Sequence, residues 1–297
     1  MKLIILSSIE QALMYMPLVL GAYISISLLK IPDLSLERAF VMGAIFSTKA
    51  IAFLPNAPFY IQLLTALAGS LFGGALVGII SGTINQYGKI PFLLSAIITL
   101  GIFHGITICL LGGSYMTGVP LKILSEFFSS QIYPDILLKL TATLFVVVFA
   151  YFLFRAQLGH AFAIYGSNAH FLSHYKISTP YVFLAGCAIS NAMAGVSGFL
   201  FSQTCGFVEI TMGTEIIILC VLSIIVGKLF IKQNKPINIV VPIIGTVFYV
   251  IITQLLLQCG INLKYFNMAQ SFMVLFILIY MFRQKNNSTQ IHDNLGV

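Results

Sequence analysis

The side chains able to do chemistry are few and scattered. His170 and His174 stand four residues apart, a spacing that puts two imidazoles on one helical face for a metal, but no third ligand lies near them. The eight acidic residues are Glu10, Asp33, Glu37, Glu126, Asp135, Glu209, Glu215 and Asp293, most of them at the ends of apolar runs. No HExxH, GxSxG or paired-aspartate motif occurs, so nothing supports a hydrolase or transferase. The phosphate-cradling GxxxxGKS/T sequence is absent as well, which excludes ATP hydrolysis by that route. Cys109, Cys187, Cys205, Cys220 and Cys259 form no CxxC pair and lie in or beside apolar segments, where they read as small buried hydrophobes.

The elements that must position these residues are membrane helices. Of 297 residues, 59% are hydrophobic and 8% charged, with a mean hydropathy of +1.02; a soluble domain carries about 25% charged residues. Apolar runs recur along the whole chain, and only a helix satisfies its own backbone across about 30 Å of hydrocarbon. The composition predicts an all-α polytopic membrane protein of about nine transmembrane helices, within a range of eight to ten. It places one transmembrane domain over 1–282 and a polar tail over 283–297. Expected spans are 9–29, 60–85, 91–111, 134–154, 181–202, 213–230, 237–258 and 266–282. The segment 36–54 carries Glu37, Arg38 and Lys49. It reads as a short or broken helix packed on protein or a wet cavity, or as one with its charges at the interface and Lys49 snorkelling.

The N-terminal lysine and apolar run superficially suggest a signal peptide, but Glu10 and Gln11 interrupt the run and no small-x-small site follows, so it reads as the first span. The net charge of +7 is spread over short loops without a patch for nucleic acid. Lys30, Arg38, Lys89, Arg155, Lys176, Lys228, Lys232, Lys235, Arg283 and Lys285 fall inside, against Lys2, Lys49, Lys122, Lys139 and Lys264 outside or at outer span ends. That asymmetry predicts an outer N-terminus and a cytosolic C-terminus.

Within the spans, Gly69 and Gly73, then Gly74, Gly78 and Gly82, repeat at four-residue spacing, as do Ser190, Ala194, Gly198 and Ser202; such stripes let helices approach closely. Asn191 beside the second stripe reads as a pathway residue or an interhelical hydrogen bond, and His104 as a pore residue or a neutral packing group. The stretch 112–133 includes LKILSEFFSSQI, suited to an amphipathic surface helix. Glu209 and Glu215 flank an outer turn, with Glu215 expected about a turn into the next span.

The polar stretch 155–180 interrupts the apolar sequence. Gly159 and Gly166 bracket HAFAIY, Ser167 and Asn168 are good N-caps for the short helix AHFLSHY, and Lys176 and Pro180 close the loop. Phe171 and Leu172 beside His170, Ser173 and His174 suit a groove on a partner, or a loop folded on its own spans.

The run FRAQLGHAFAIYGSNAHFLSHYKISTPYVFLAGCAISNAMAGVSGFLFSQTCGFVEITMG resembles the signature region of permease subunits of ABC importers in the branched-chain amino-acid permease superfamily, nearest the tryptophan or uncharacterised-substrate branch. LKIPDLSLERAFVMGA resembles that branch's segment after its first span. The resemblance implies a multi-pass subunit of the bacterial inner membrane, no enzyme and no cofactor of its own, with ATP bound in a separate ATPase. It implies an extracytoplasmic substrate-binding protein, a second permease copy or paralogue, and a small polar solute, amino acids first. Gly159, Gly166, Ser167, Asn168, Ala169 and His170 would be the ATPase-coupling residues, and Glu209 and Glu215 a gate or receiving rim. Four positions depart from the family pattern: Ala163 replaces a usual arginine, Ser167 a usual aspartate, and Glu37-Arg38 a usual Asp-Gly. The alternative is an ion-gradient-driven secondary transporter, for which only Glu215 and the segment 36–54 supply candidate features.

Overall fold

A computed structural model describes residues 2–119, 134–231 and 237–258, with isolated positions between 268 and 279. The chain forms two compact units, Met1–Val250 and Ile251–Val297. The first begins with α1 (Lys2–Ala22), which runs into a π-helical turn, Tyr23–Leu28. Residues 29–35 are not regularly helical: Pro32 cannot donate to the ladder, and Lys30 adopts a left-handed φ of 57°. Then follow α2 (Leu36–Phe53), α3 (Phe59–Gly88), α4 (Phe92–Leu110) and α5 (Pro134–Arg155). Next come α6 (Gln157–Ser167), α7 (Ala169–His174), α8 (Thr179–Cys205), α9 (Ile216–Phe230) and α10 (Val240–Gln258), which ends in the second unit.

Among the described residues, four helical segments are long and apolar enough to cross a membrane: Leu6–Leu28, Phe59–Gly88, Phe92–Leu110 and Thr179–Cys205. A fifth is reached if Lys139–Arg155 and Gln157–Ser167, bent by 69°, count as one span. The expected span 213–230 shortens to the 15 residues of α9, about 22 Å at 1.5 Å per residue and less than the hydrocarbon thickness. The segment 36–54 is one continuous helix whose middle, Ala39–Ile45, is buried in protein. The expected span 266–282 and the helix LKILSEFFSSQI lie outside the described residues, apart from isolated positions of the former.

The all-α expectation needs one correction. Met116–Gly118 (β1) and Phe207–Glu209 (β2) pair as an antiparallel ribbon, Met116 opposite Glu209, Thr117 opposite Val208 and Gly118 opposite Phe207. Thr117, Phe207 and Val208 favour strands, and the pairing satisfies backbone groups between helix ends. Val208 inserts among Val41, Ala44 and Ile45.

Apolar side chains face outward. On α4, Ile97, Ile98, Ile102 and Ile106 are exposed while Ser95, Ala96, Thr99, Phe103 and Thr107 are buried, so the small and polar face points inward, as lipid-solvated helices require. The Ser95, Thr99 and Thr107 hydroxyls donate to carbonyls one turn back, leaving no free donor there. The cysteine expectation holds for Cys187 and Cys220, which are buried; Cys109 and Cys205 are exposed.

The core is built around α8, whose most extensive contacts are with α3, α2 and α1. Each contact is made backbone to backbone. A β-carbon on Gly74 would collide with the Asn191 carbonyl, on Gly78 with that of Cys187, and on Gly195 with that of Ser70, so α3 lies directly on α8. Gly43 meets Gly195, and Gly198 meets the Phe40 carbonyl, which seats α2. Gly21 of α1 meets the Ser190 carbonyl, while Ser190 Oγ donates to Gly21 O (2.7 Å) and Ser197 Oγ to Met14 O (2.6 Å). Gly73 packs α3 on α2, 2.8 Å from Met42 O at its notional β-carbon.

Candidate functional site

Three groups of polar residues stand out from this apolar frame. The first is where 29–35 crosses α8. Asp33 is 1% exposed, and Asn191 and Ser35 are fully buried. Asn191 Nδ2 donates to Asp33 Oδ2 (3.0 Å) and to Cys187 O (2.9 Å), and the Ser35 N–H donates to Asp33 Oδ1 (3.0 Å). The Ser35 hydroxyl lies 2.5 Å from Asp33 Oδ1 and 3.1 Å from Asn191 Oδ1. Ser35 thus donates to Asp33 through both its amide and its hydroxyl, and the same hydroxyl lies within reach of Asn191 Oδ1. Burial pushes the Asp33 carboxyl up from its usual range, against the hydrogen bonds from Ser35 and Asn191.

The second group is the turn from β2 to α9. Glu215 is exposed and stands at the N-cap of α9 with φ 69°, so the expectation that it lies a turn inside a span is corrected. The 211–215 turns hold the chain out of helix until Ile216. The Glu215 N–H donates to Glu37 Oε1 (3.1 Å), a carboxylate at a helix N-terminus. Arg38 Nη1 donates to Ile210 O (3.0 Å), so both charges in the first turn of α2 are used here, and Arg38 stands beside the turn expected outside rather than on the inner side. Glu209, half-buried on β2, accepts from the Thr211 hydroxyl.

The third group is α6–α7. Phe162 and Leu172 point inward and are buried, while His160, Ser167, Asn168, His170, Phe171, Ser173 and His174 are exposed. Asn168 caps α7, its Oδ1 accepting from the His170 N–H (3.1 Å). Ala169 is half-buried. The two glycines face the other way: a β-carbon on Gly159 would collide with Leu153 O, and one on Gly166 with Leu28 O. Gly159 and Gly166 therefore seat α6 on α5 and on the π-helical turn, and the exposed face belongs to Ser167, Asn168 and His170.

Other polar groups sit apart. Lys139, expected at an outer span end, is buried in α5 and lies 3.7 Å from Glu10 of α1. His104 is half-buried with Nδ1 unpartnered among the described residues. A cavity of about 390 Å³ lies between α2, α4 and β1, with Lys49 on its wall. No group of three metal-binding side chains forms among the described residues. Sequence reasoning missed Asp33 and Ser35 as site residues. Their signal was an acidic residue in the segment LKIPDLSLERAFVMGA, read only as a helix stop.

The comparisons agree with this architecture. An uncharacterised protein of Rickettsia prowazekii is 27% identical over 266 residues, covering 87% of this chain and 91% of that one. A tyrosine transport system permease protein of Clostridioides difficile is 28% identical over 230 residues, covering 77% and 74%. An autoinducer 2 import system permease protein of Escherichia coli is 22% identical over 224 residues, covering 74% of this chain and 64% of the relative. An inward-facing metal-chelate-type ABC transporter superposes with a TM-score of 0.54 at 13% identity over 93% of this chain and 86% of that one, a likeness of fold. The model of the branched-chain amino acid transport system permease component matches residues 4–280, nearly the whole chain, and this protein belongs to that family of ABC transporter permeases.

Proposed function

We propose that the chain is the transmembrane permease subunit of a bacterial ABC importer, a multi-pass protein of the inner membrane that moves a small polar solute. The exposed face of α6–α7 carries the proposal. It presents Ser167, Asn168, His170 and the half-exposed ring of Phe171 on a short helical unit anchored from beneath by Phe162, Leu172, Gly159 and Gly166. A rigid unit with an adaptable polar outer face suits a groove on an ATPase, which supplies the ATP chemistry this sequence lacks. An amino acid is the favoured cargo, supported by the relative named for tyrosine transport. An extracytoplasmic binding protein would deliver it, and a second copy or paralogue would complete the pathway, with Glu209, Glu215 and Thr214 on the turn at its rim. The orientation is N-terminus outside and C-terminus inside, with about nine spans.

The test is co-purification of the tagged permease with the products of neighbouring genes. Ser167→Glu and His170→Glu alter exposed side chains and should release an ATPase without lowering the thermal midpoint. Replacing Gly166 would instead disturb its contact with Leu28. A folded permease that purifies alone and moves solute in vesicles under an ion gradient without nucleotide refutes the proposal.

A further inference from the structure

Residues 28–38 touch α6, α8 and the turn at 210–215, and α6 also packs on α8 directly, through Tyr165 against Phe183. At their start, a β-carbon on Gly166 of α6 would collide with Leu28 O and lie 2.9 Å from the Leu29 carbonyl carbon, so α6 bears directly on this backbone. Leu29 fills the notch that Gly186 leaves in α8, its Cδ1 2.6 Å from a notional β-carbon there. Midway, Asp33 and Ser35 are bound to Asn191 of α8. At their end, Glu37 and Arg38 hold the backbone of Glu215 and Ile210, and Gly213 packs against the Glu37 carbonyl.

We infer that residues 28–38 are the lever that carries a displacement of α6 to the turn at 210–215, with Asp33, Ser35 and Asn191 as its fulcrum and Glu37 and Arg38 as positioning residues at its far end. The inference rests on the reading of α6–α7 as the ATPase-docking face. Three features suit the role. The contact at Gly166 is backbone against backbone, so rotamer changes cannot absorb a push. The fulcrum stands on α8, which is fixed by glycine contacts to α1, α2 and α3. The stretch between the π-helical turn and α2 has no continuous helical ladder to resist rotation, and its buried polar bonds give it a discrete resting position.

Hydrogen exchange on the purified permease tests the lever without any partner. Asp33→Ala should quicken exchange about tenfold in both 157–167 and 206–215 while leaving 92–110 unchanged. Glu37→Gln, which keeps a carbonyl acceptor for the Glu215 N–H, should match the wild type, and Glu37→Ala should not. Quickening confined to 28–38 overturns the inference, as does a uniform rise across all helices. In the complex with its ATPase, a bimane placed by Thr214→Cys should shift on adding ATP. Asp33→Ala should abolish that shift while hydrolysis stays within about twofold of the wild type; a shift that persists overturns the lever. If no ATPase binds the wild type, the docking reading fails while the exchange result still decides the coupling within the permease.

Discussion

Gly195→Ala adds one methyl group where α8 has no room. The new β-carbon would overlap Ser70 O and sit 3.2 Å from both the Cα and the amide nitrogen of Gly74, so three backbone atoms of α3 oppose it. A side chain could rotate away; backbone cannot, and α3 and α8 must separate by about 1 Å to restore van der Waals contact. Overpacking of this kind costs about 1–3 kcal/mol, which lowers a midpoint by roughly 3–10 °C for a chain of this size. The same substitution has a built-in control. Gly101 and Gly105 on α4 have open space at their notional β-carbons, so Gly105→Ala should be neutral or slightly stabilising. The protein has no tryptophan, but it has its own reporters. Cys187 and Cys220 are buried, and a maleimide dye added during heating reports their release after Cys109, Cys205 and Cys259 have been replaced by serine. Gly195→Ala should lower the midpoint and Gly105→Ala should not. Equal midpoints for the two variants would refute the claim that backbone contact at α8 organises the fold.

The remaining predictions follow from polar pairs. Ser190→Ala and Ser197→Ala each remove one interhelical bond to a carbonyl and should cost about 0.6 kcal/mol, measured by the same dye. Glu10→Gln leaves the Lys139 ammonium buried without its partner; because Glu10 is 33% exposed, the loss should fall below the full buried-pair penalty, about 1–3 kcal/mol. Adding Lys139→Met to it should recover most of that loss, and an additive double variant would show the two side chains do not interact. Asp33 makes stability fall as pH rises. Its folded carboxyl binds a proton more tightly than the unfolded one, so the contribution is full below the ordinary carboxylate range and is lost from there upward through the raised folded value. The midpoint difference between wild type and Asp33→Asn should therefore shrink with increasing pH, and a difference that grows would reverse the assignment.

How much of this was legible in the sequence depends on the range of the interaction. The long helix α8 and the short capped helix α7 follow from local signals, apolar length in one case and Asn168 in the other, and both stand close to where the sequence puts them. The small-residue stripes Gly73, Gly74, Gly78 and Ser190, Ala194, Gly198 announced close packing but not which helices meet, because a bare backbone face carries no label for its partner. The ribbon β1–β2 was missed because three-residue strands show no periodicity; it exists through a partner some ninety positions away.

The polar site shows the same division more sharply. Read alone, Asp33 is a charge that ends a helix, Asn191 an amide in mid-span, and Glu37-Arg38 a pair too polar for lipid. Each description is accurate, and each leaves an unsatisfied group. Asp33 and Asn191 are 158 residues apart, and Glu37 and Glu215 are 178 apart. A buried polar group in an apolar frame must find partners or cost several kcal/mol, so every such residue in the sequence was in effect a demand for a distant contact. Those demands are met by two segments that leave regular helix, 29–35 and 206–215. Backbone outside a helix or strand leaves main-chain groups that must find other partners. The polar residues and the chain breaks therefore explain each other: Asp33 and Ser35 are held by Asn191, the turn before α9 is held by Glu37 and Arg38, and one short stretch joins the two.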